Sequence, residues 1–211
     1  MKKVLQLILA IVIVALVYVV YRQVATPIEF EAEKGRKEAA VIERIKDIRS
    51  AQRAFKSKYQ HFTADFDSLI EFVLNDSLVM ERKLVDEDDS VAMAQLKKAK
   101  KQNIEKYNLA VIDTIFNPRK LSKQEIQDLR WIPFTDNKVE FILEAAKVMT
   151  GANVVVPVVE CRAPYKMYLD TVEYRQNIIN LIDDRVNNFN AYAGLKFGSM
   201  EGSNNEAGNW E

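Results

Sequence analysis

Val4 to Tyr21 reads VLQLILAIVIVALVYVVY. The run carries no charge, and Gln6 is its only strongly polar residue. About 18 helical residues at about 1.5 Å each reach about 27 Å, close to the ~30 Å hydrocarbon core of a bilayer. Lys2 and Lys3 flank one end and Tyr21 and Arg22 the other, and tyrosine suits the headgroup level. Residues 1–25 therefore read as an uncleaved transmembrane anchor, with Val4, Leu5, Leu7, Ile8, Leu9 and Tyr21 among its lipid-facing residues. A cleaved signal peptide has a shorter apolar region, of about 7–15 residues, and a small-x-small cleavage site. The best site here ends at Ala25, with Gln23 where a small residue belongs. A short basic stub before an apolar run orients the N-terminus inwards, which places the following domain in the periplasm of a bacterium. Glu29, Glu31 and Glu33 weigh little in that rule beside Arg22, Lys34, Arg36 and Lys37.

Outward from the anchor, Thr26-Pro27-Ile28-Glu29 has the form of a helix start: a capping threonine, a proline at the first helical position and a glutamate three residues on. A second helix is expected there. Val41, Ile45, Ile48, Phe55 and Tyr59, with Gln52 in register, step by three and four and so share one face. Glu33/Lys37 and Glu43/Lys46 are spaced as surface pairs. Ile28 to Ala40, mostly charged or small, reads as a solvated stalk. The stripe itself has two uses. Packing on the protein's own sheet is the favoured one for Ile45 to Tyr59; docking a partner helix through Ile45, Ile48, Phe55 and Tyr59 is the other.

Asp65 and Asp67 open a short helix whose buried face is Phe66, Leu69, Ile70 and Val73. Ser77–Val85 reads as a strand. Asp86 to Asp89 lack the spacing, glycine and terminal glutamate of a calcium loop. These acids instead precede a helix expected over Ser90–Tyr107, whose lysines gather towards its end. Leu109–Phe116 reads as a strand, and Ser122 to Glu125 as a capping box opening a helix through Leu129. Lys138–Met149 and Val154–Leu169 read as strands around a turn at 150–153. Pro157 and Pro164 mark the second as broken, bulged or at an edge. Asp170 to Glu173 cap a helix running to about Tyr192, with Tyr174, Ile178, Ile182 and Phe189 on one face and Leu181 and Val186 alongside. Four of the six glycines follow Ala193, so 194–211 reads as a Gly/Asn-rich coil. Leu195, Phe197, Met200 and Trp210 are unusual in such a tail: in the favoured reading Leu195 and Phe197 finish the domain's packing and the stretch on to Trp210 is disordered, and in the other the tail docks on a partner with Trp210 as the anchor.

Composition narrows the chemistry. Lys+Arg and Asp+Glu are both 30, so no basic excess points to nucleic acid. The single histidine, His61, and single cysteine, Cys161, are too few for a zinc site. Cys161 lies among Val158, Val159 and Glu160 in a strand, with no helix start to activate a thiolate. No phosphate-binding glycine loop, dinucleotide fingerprint or GxSxG occurs. Asp183 and Asp184 are adjacent on a helix and point apart. No catalytic, metal or cofactor residue is singled out.

Ile48-Arg49-Ser50-Ala51-Gln52-Arg53-Ala54-Phe55, Lys58-Tyr59-Gln60-His61-Phe62-Thr63 and Asp67-Ser68-Leu69-Ile70, following an apolar segment, resemble the N-terminal third of type IV pilins and type II secretion pseudopilins. In that family the apolar segment follows a cleaved leader and carries a glutamate near its start. Here Lys3 directly precedes Val4, and Gln6 is the nearest polar residue. The resemblance implies an N-terminal helix, amphipathic in its second half, leading to an antiparallel sheet. The expected fold is α+β: an anchor over 1–25, an extracytoplasmic domain over 26–193 with an amphipathic helix packed on a small antiparallel sheet with additional helices, and a tail over 194–211. The expected function is non-enzymatic. It is that of a single-pass inner-membrane structural or interaction subunit of an envelope secretion, translocation or surface-assembly complex, with other envelope proteins as partners. A pilin-like filament subunit is the alternative, and a membrane-anchored enzyme the third reading.

Overall fold

The computed structural model describes residues 2–86, 88–89, 93–95, 98, 102–117, 119–151 and 153–211, with Lys2 and Leu5 described by backbone alone. The fold mixes helix with small antiparallel sheets. Its spine is α1, Lys2–Tyr59, a single helix of 58 residues. Such a helix is about 87 Å long at about 1.5 Å per residue.

The helix start expected at Thr26 does not form. Pro27 lies inside α1, and the helix passes through it. A proline ring removes one backbone bond and crowds the carbonyl four residues earlier. Gln23 and Pro27 are both exposed, so the lost bond does not open into a core. Good helix formers on both sides carry the helix onward. The stalk reading of Ile28–Ala40 also needs correction: Phe30 is buried, with its ring 5.4 Å from that of Tyr174. Lys37 pairs with Glu33 as spaced, at 2.6 Å, whereas Glu43 turns to Arg119. α1 ends in a left-handed Gln60 (φ 63°), whose N–H returns to the Lys56 carbonyl at 2.8 Å.

Val41, Ile45, Ile48 and Gln52 are fully buried, so the stripe packs inward. Gln52 is satisfied twice by the following loop: Nε2 donates to the Thr63 carbonyl at 2.7 Å, and the Thr63 N–H donates to Oε1 at 3.2 Å. That bond pair turns the chain into α2, Phe66–Asn75, capped by Asp65. Phe66, Leu69, Phe72 and Val73 are its buried side chains, and Ile70 is half-buried.

β1, Ser77–Lys83, pairs antiparallel with β2, Ile104–Ala110, with Met80 opposite Tyr107. The helix expected over Ser90–Tyr107 therefore fails at Ile104–Tyr107; most of 90–101 lies outside the described residues. Cross-strand pairs override local helix preference here: Arg82 meets Glu105 at 2.6 Å and Lys106 meets Glu81 at 2.9 Å. The strand expected over Leu109–Phe116 ends at Ala110, and Val111–Ile115 forms the short helix α3. α4, Lys123–Gln127, carries the expected capping box, Ser122 with Glu125.

β3 (Ile142–Met149), β4 (Val155–Pro164) and β5 (Gly194–Gly198) form the second sheet in the order β3-β4-β5. β4 is central and unbroken. Pro157 sits opposite Lys147, on a stretch that β5 does not reach, and Pro164 is the last residue of the strand. That is how a central strand holds two prolines without losing a needed donor. The chain then makes α5, Tyr165–Tyr168, and α6, Arg175–Asp183, followed by a π-helical turn over Asp184–Asn188.

The Gly/Asn-rich segment expected as coil begins with β5. Leu195 and Phe197 are buried in the core against β4 and α1. Gly194 and Gly198 reflect close approach rather than looseness. A Cβ at Gly194 would lie 2.4 Å from the Ala163 carbonyl oxygen, and one at Gly198 (φ 77°) would lie 1.9 Å from that of Val159.

Candidate functional site

The N-terminal half of α1 stands apart from the domain. From Val4 to Ile28 its large apolar side chains are between 46% and 69% exposed. Among the proposed anchor residues, Val4, Leu7, Ile8, Leu9 and Tyr21 lie on this rod; the Leu5 side chain is outside the description. The segment is long and apolar enough to cross a membrane. Covering a side chain of this kind yields about 1.5–3 kcal/mol, so the sixteen among the described residues of the rod gain on the order of tens of kcal/mol from an apolar surrounding. Its chemistry is therefore that of an insertion or packing element.

The domain meets the rod through α6 and the residues around it. Asn177 borders a shallow depression with Tyr18, Val19, Arg22, Gln23, Thr26 and Pro27. Tyr174 covers Phe30. Glu38, half-buried on the next stretch of α1, has its carboxyl held above the ordinary range by desolvation, against the lowering effect of Lys34 and Arg185. Tyr168 is buried close by, and its hydroxyl has no hydrogen-bond partner. Burial raises that phenol well above its ordinary value.

The proposed partner-binding residues separate. Ile45 and Ile48 are fully buried and Phe55 nearly so, which removes them as a docking surface: the domain's own α2, α3 and β5 pack against α1. Tyr59 is 44% exposed; its hydroxyl donates to Asp76 at 2.8 Å, and its ring lies 4.7 Å from that of Phe55. Trp210 is half-buried against the same core, under the Arg49 guanidinium. It is an intramolecular anchor, held by a segment whose Glu206 pairs with Arg53 at 3.1 Å.

The reactive side chains do not converge. Cys161 is fully buried in β4, opposite Leu143 and Phe197, and desolvation raises its thiol far above the ordinary range. His61 is exposed, with Nδ1 2.9 Å from the Phe62 carbonyl. Asp183 and Asp184 each accept from an asparagine four residues on, Asn187 and Asn188. Among the described residues no group of three or more His, Cys, Asp and Glu is placed to hold a metal.

Sequence reasoning missed one exposed apolar set. Val172 is 89% and Phe189 66% exposed, with Ile179 and Val186 also open. Phe189 was expected on the buried face of a continuous α-helix, but the π turn inserts an extra residue per turn and shifts that register. No local signal in the sequence marks the π turn. Comparison with known protein families, curated proteins and solved structures finds no match to this chain.

Proposed function

We propose that the protein is a single-pass membrane-anchored structural or interaction subunit of a cell-envelope assembly, and not an enzyme. The observation that carries this is the exposed apolar rod, Val4 to Ile28, continuous with the helix that forms the core of the domain. Its uncharged part, Val4 to Tyr21, is about 27 Å long and matches the hydrocarbon thickness of a bilayer. Its continuity with Ile45, Ile48 and Gln52 joins anchor and domain in one helix. Lys2 and Lys3 favour an N-terminus on the cytoplasmic face of the inner membrane, with the domain in the periplasm. The burial of Cys161 and the surface position of His61 favour a non-catalytic role.

Passage of α1 through Pro27 gives weight to a second reading, a pilin-like or pseudopilin-like filament subunit. A helix restarting at the membrane fits such a subunit poorly, whereas a single 58-residue helix fits it well. One fractionation separates the readings. An anchored complex subunit stays with membranes through alkaline extraction and shear, and leaves only with detergent together with fixed partners. A filament subunit appears as polymers in the sheared fraction. Release as a soluble monomer without detergent defeats both. External protease on spheroplasts tests orientation: loss of the domain supports the periplasmic placement, and full protection reverses it.

A further inference from the structure

Exposed apolar side chains flank α6, with Val172 before it, Ile179 on it, and Val186 and Phe189 after it, and the start of α6 sits beside the stretch where α1 leaves the domain. Val172 and Ile179 line one depression with Lys166 and Arg175. Val186 and Phe189 continue the exposed apolar set into the π turn and just beyond it. Acids lie nearby as well: Asp170 accepts from the backbone of Val172 and Glu173, Asp183 and Asp184 accept from Asn187 and Asn188, and Glu173 is exposed, so the cationic contribution is confined to Lys166 and Arg175 beside the depression. Contacts with α1 set the position. Asn177 borders a depression with Tyr18, Val19, Arg22, Gln23, Thr26 and Pro27, which places the start of α6 at the end of the apolar run, and Tyr174 covers Phe30. Other parts of the domain meet α1 further along, as where Arg44 donates to the Asp128 carbonyl and Gln52 bonds Thr63.

We propose that α6 and the π turn that follows it seat the domain on the bilayer surface, with Ile179, Val186 and Phe189 at the acyl boundary and Lys166 and Arg175 at anionic headgroups. The inference rests on the membrane-anchor reading above. If residues 4–21 span the bilayer, Arg22 to Thr26 emerge at the headgroup level, and Asn177 at the start of α6 borders that same stretch. Apolar side chains interleaved with lysine and arginine are what an interfacial helix presents to anionic lipid. Seating would restrain the domain against the tilt that Pro27 otherwise permits.

The test uses the full-length chain in nanodiscs of phosphatidylcholine and phosphatidylglycerol. A fluorophore is placed on Ile179→Cys, Val12→Cys or Val79→Cys in separate preparations; the native Cys161 is buried and spared by labelling the folded protein. Phe189→Cys repeats the reading from a more open position. Spin-labelled lipids carry the quencher at the headgroup or deep in the chain. The expected result is deep quenching at 12 and headgroup-level quenching at 179 and 189 at least about twofold above that at 79, which lies on the remote hairpin. Deep quenching at 12 with 179 and 189 no different from 79 overturns the seating and leaves the anchor standing. Absence of quenching at 12 overturns both. Shielding of 179 and 189 from aqueous iodide without lipid quenching also overturns the proposal, since a protein neighbour then covers the face.

Discussion

The Arg49 guanidinium lies 5.7 Å from the centre of the Trp210 indole ring. Its Nη1 also donates to the Glu211 carboxylate at 2.6 Å and to the Glu206 carbonyl at 3.3 Å. The C-terminal segment is thus clamped to α1. Deleting Gly202–Glu211 should lower unfolding stability by about 2–4 kcal/mol, through lost indole packing and the loss of both carboxylates. Urea denaturation of the detergent-solubilised protein measures it. A truncated chain as stable as the full one would contradict the clamp.

Ile48 should be indispensable to the domain. It is fully buried on the α1 face that packs inward. Ile48→Asp places a carboxylate there without a partner and should cost about 3–5 kcal/mol, a large share of the roughly 5–15 kcal/mol that holds an ordinary domain folded. Circular dichroism against temperature shows this directly. A near-normal melt would mean that the face is open in solution.

Pro27 should be the softest point of α1. The substitution Pro27→Ala restores the missing N–H donor to the Gln23 carbonyl and removes the ring clash. Local opening should become harder by about 1–3 kcal/mol. Hydrogen exchange of the amides from Gln23 to Glu31 should slow accordingly, while those of β3 to β5 stay unchanged. Equal exchange in both proteins would show that the proline introduces no weakness.

Stability should fall in acid. Asp65, Asp76, Glu125, Asp170 and Glu211 all titrate below their ordinary values because hydrogen bonds favour the charged form: Ser68 foremost at Asp65, Lys58 at Asp76, Ser122 at Glu125, Glu173 at Asp170 and Arg49 at Glu211. A lowered folded value means that the contribution is complete above the unfolded values, 3.8 for Asp and 4.5 for Glu, and is lost as pH falls through the folded values below them. Glu38 acts oppositely: its raised value contributes below 4.5 and is lost as pH rises through the folded value. With five groups against one, the urea midpoint should be lower at pH 3 than at pH 6. A higher midpoint at pH 3 would show Glu38 to be dominant.

Much of this architecture follows from short-range rules. An apolar run of membrane length, a three-four stripe from Val41 to Phe55, the Asp65 cap and the Ser122–Glu125 box each depend on residues within one or two turns, so periodicity and capping chemistry determine them. The rest depends on residues distant in sequence. Ile104–Tyr107 becomes strand because β1 supplies a partner some 25 residues back, with Glu81 and Arg82 as counter-charges. Gly194–Gly198 has a coil's composition yet closes the sheet, because only glycine lets β5 pass so near the Ala163 and Val159 carbonyls. Phe189 turns outward through a π turn that no local periodicity encodes. Burial decides which half of α1 is core and which is rod: the apolar pattern determines that both halves need cover, and only the tertiary fold shows that the domain supplies it from Phe30 onward and leaves Val4 to Ile28 open.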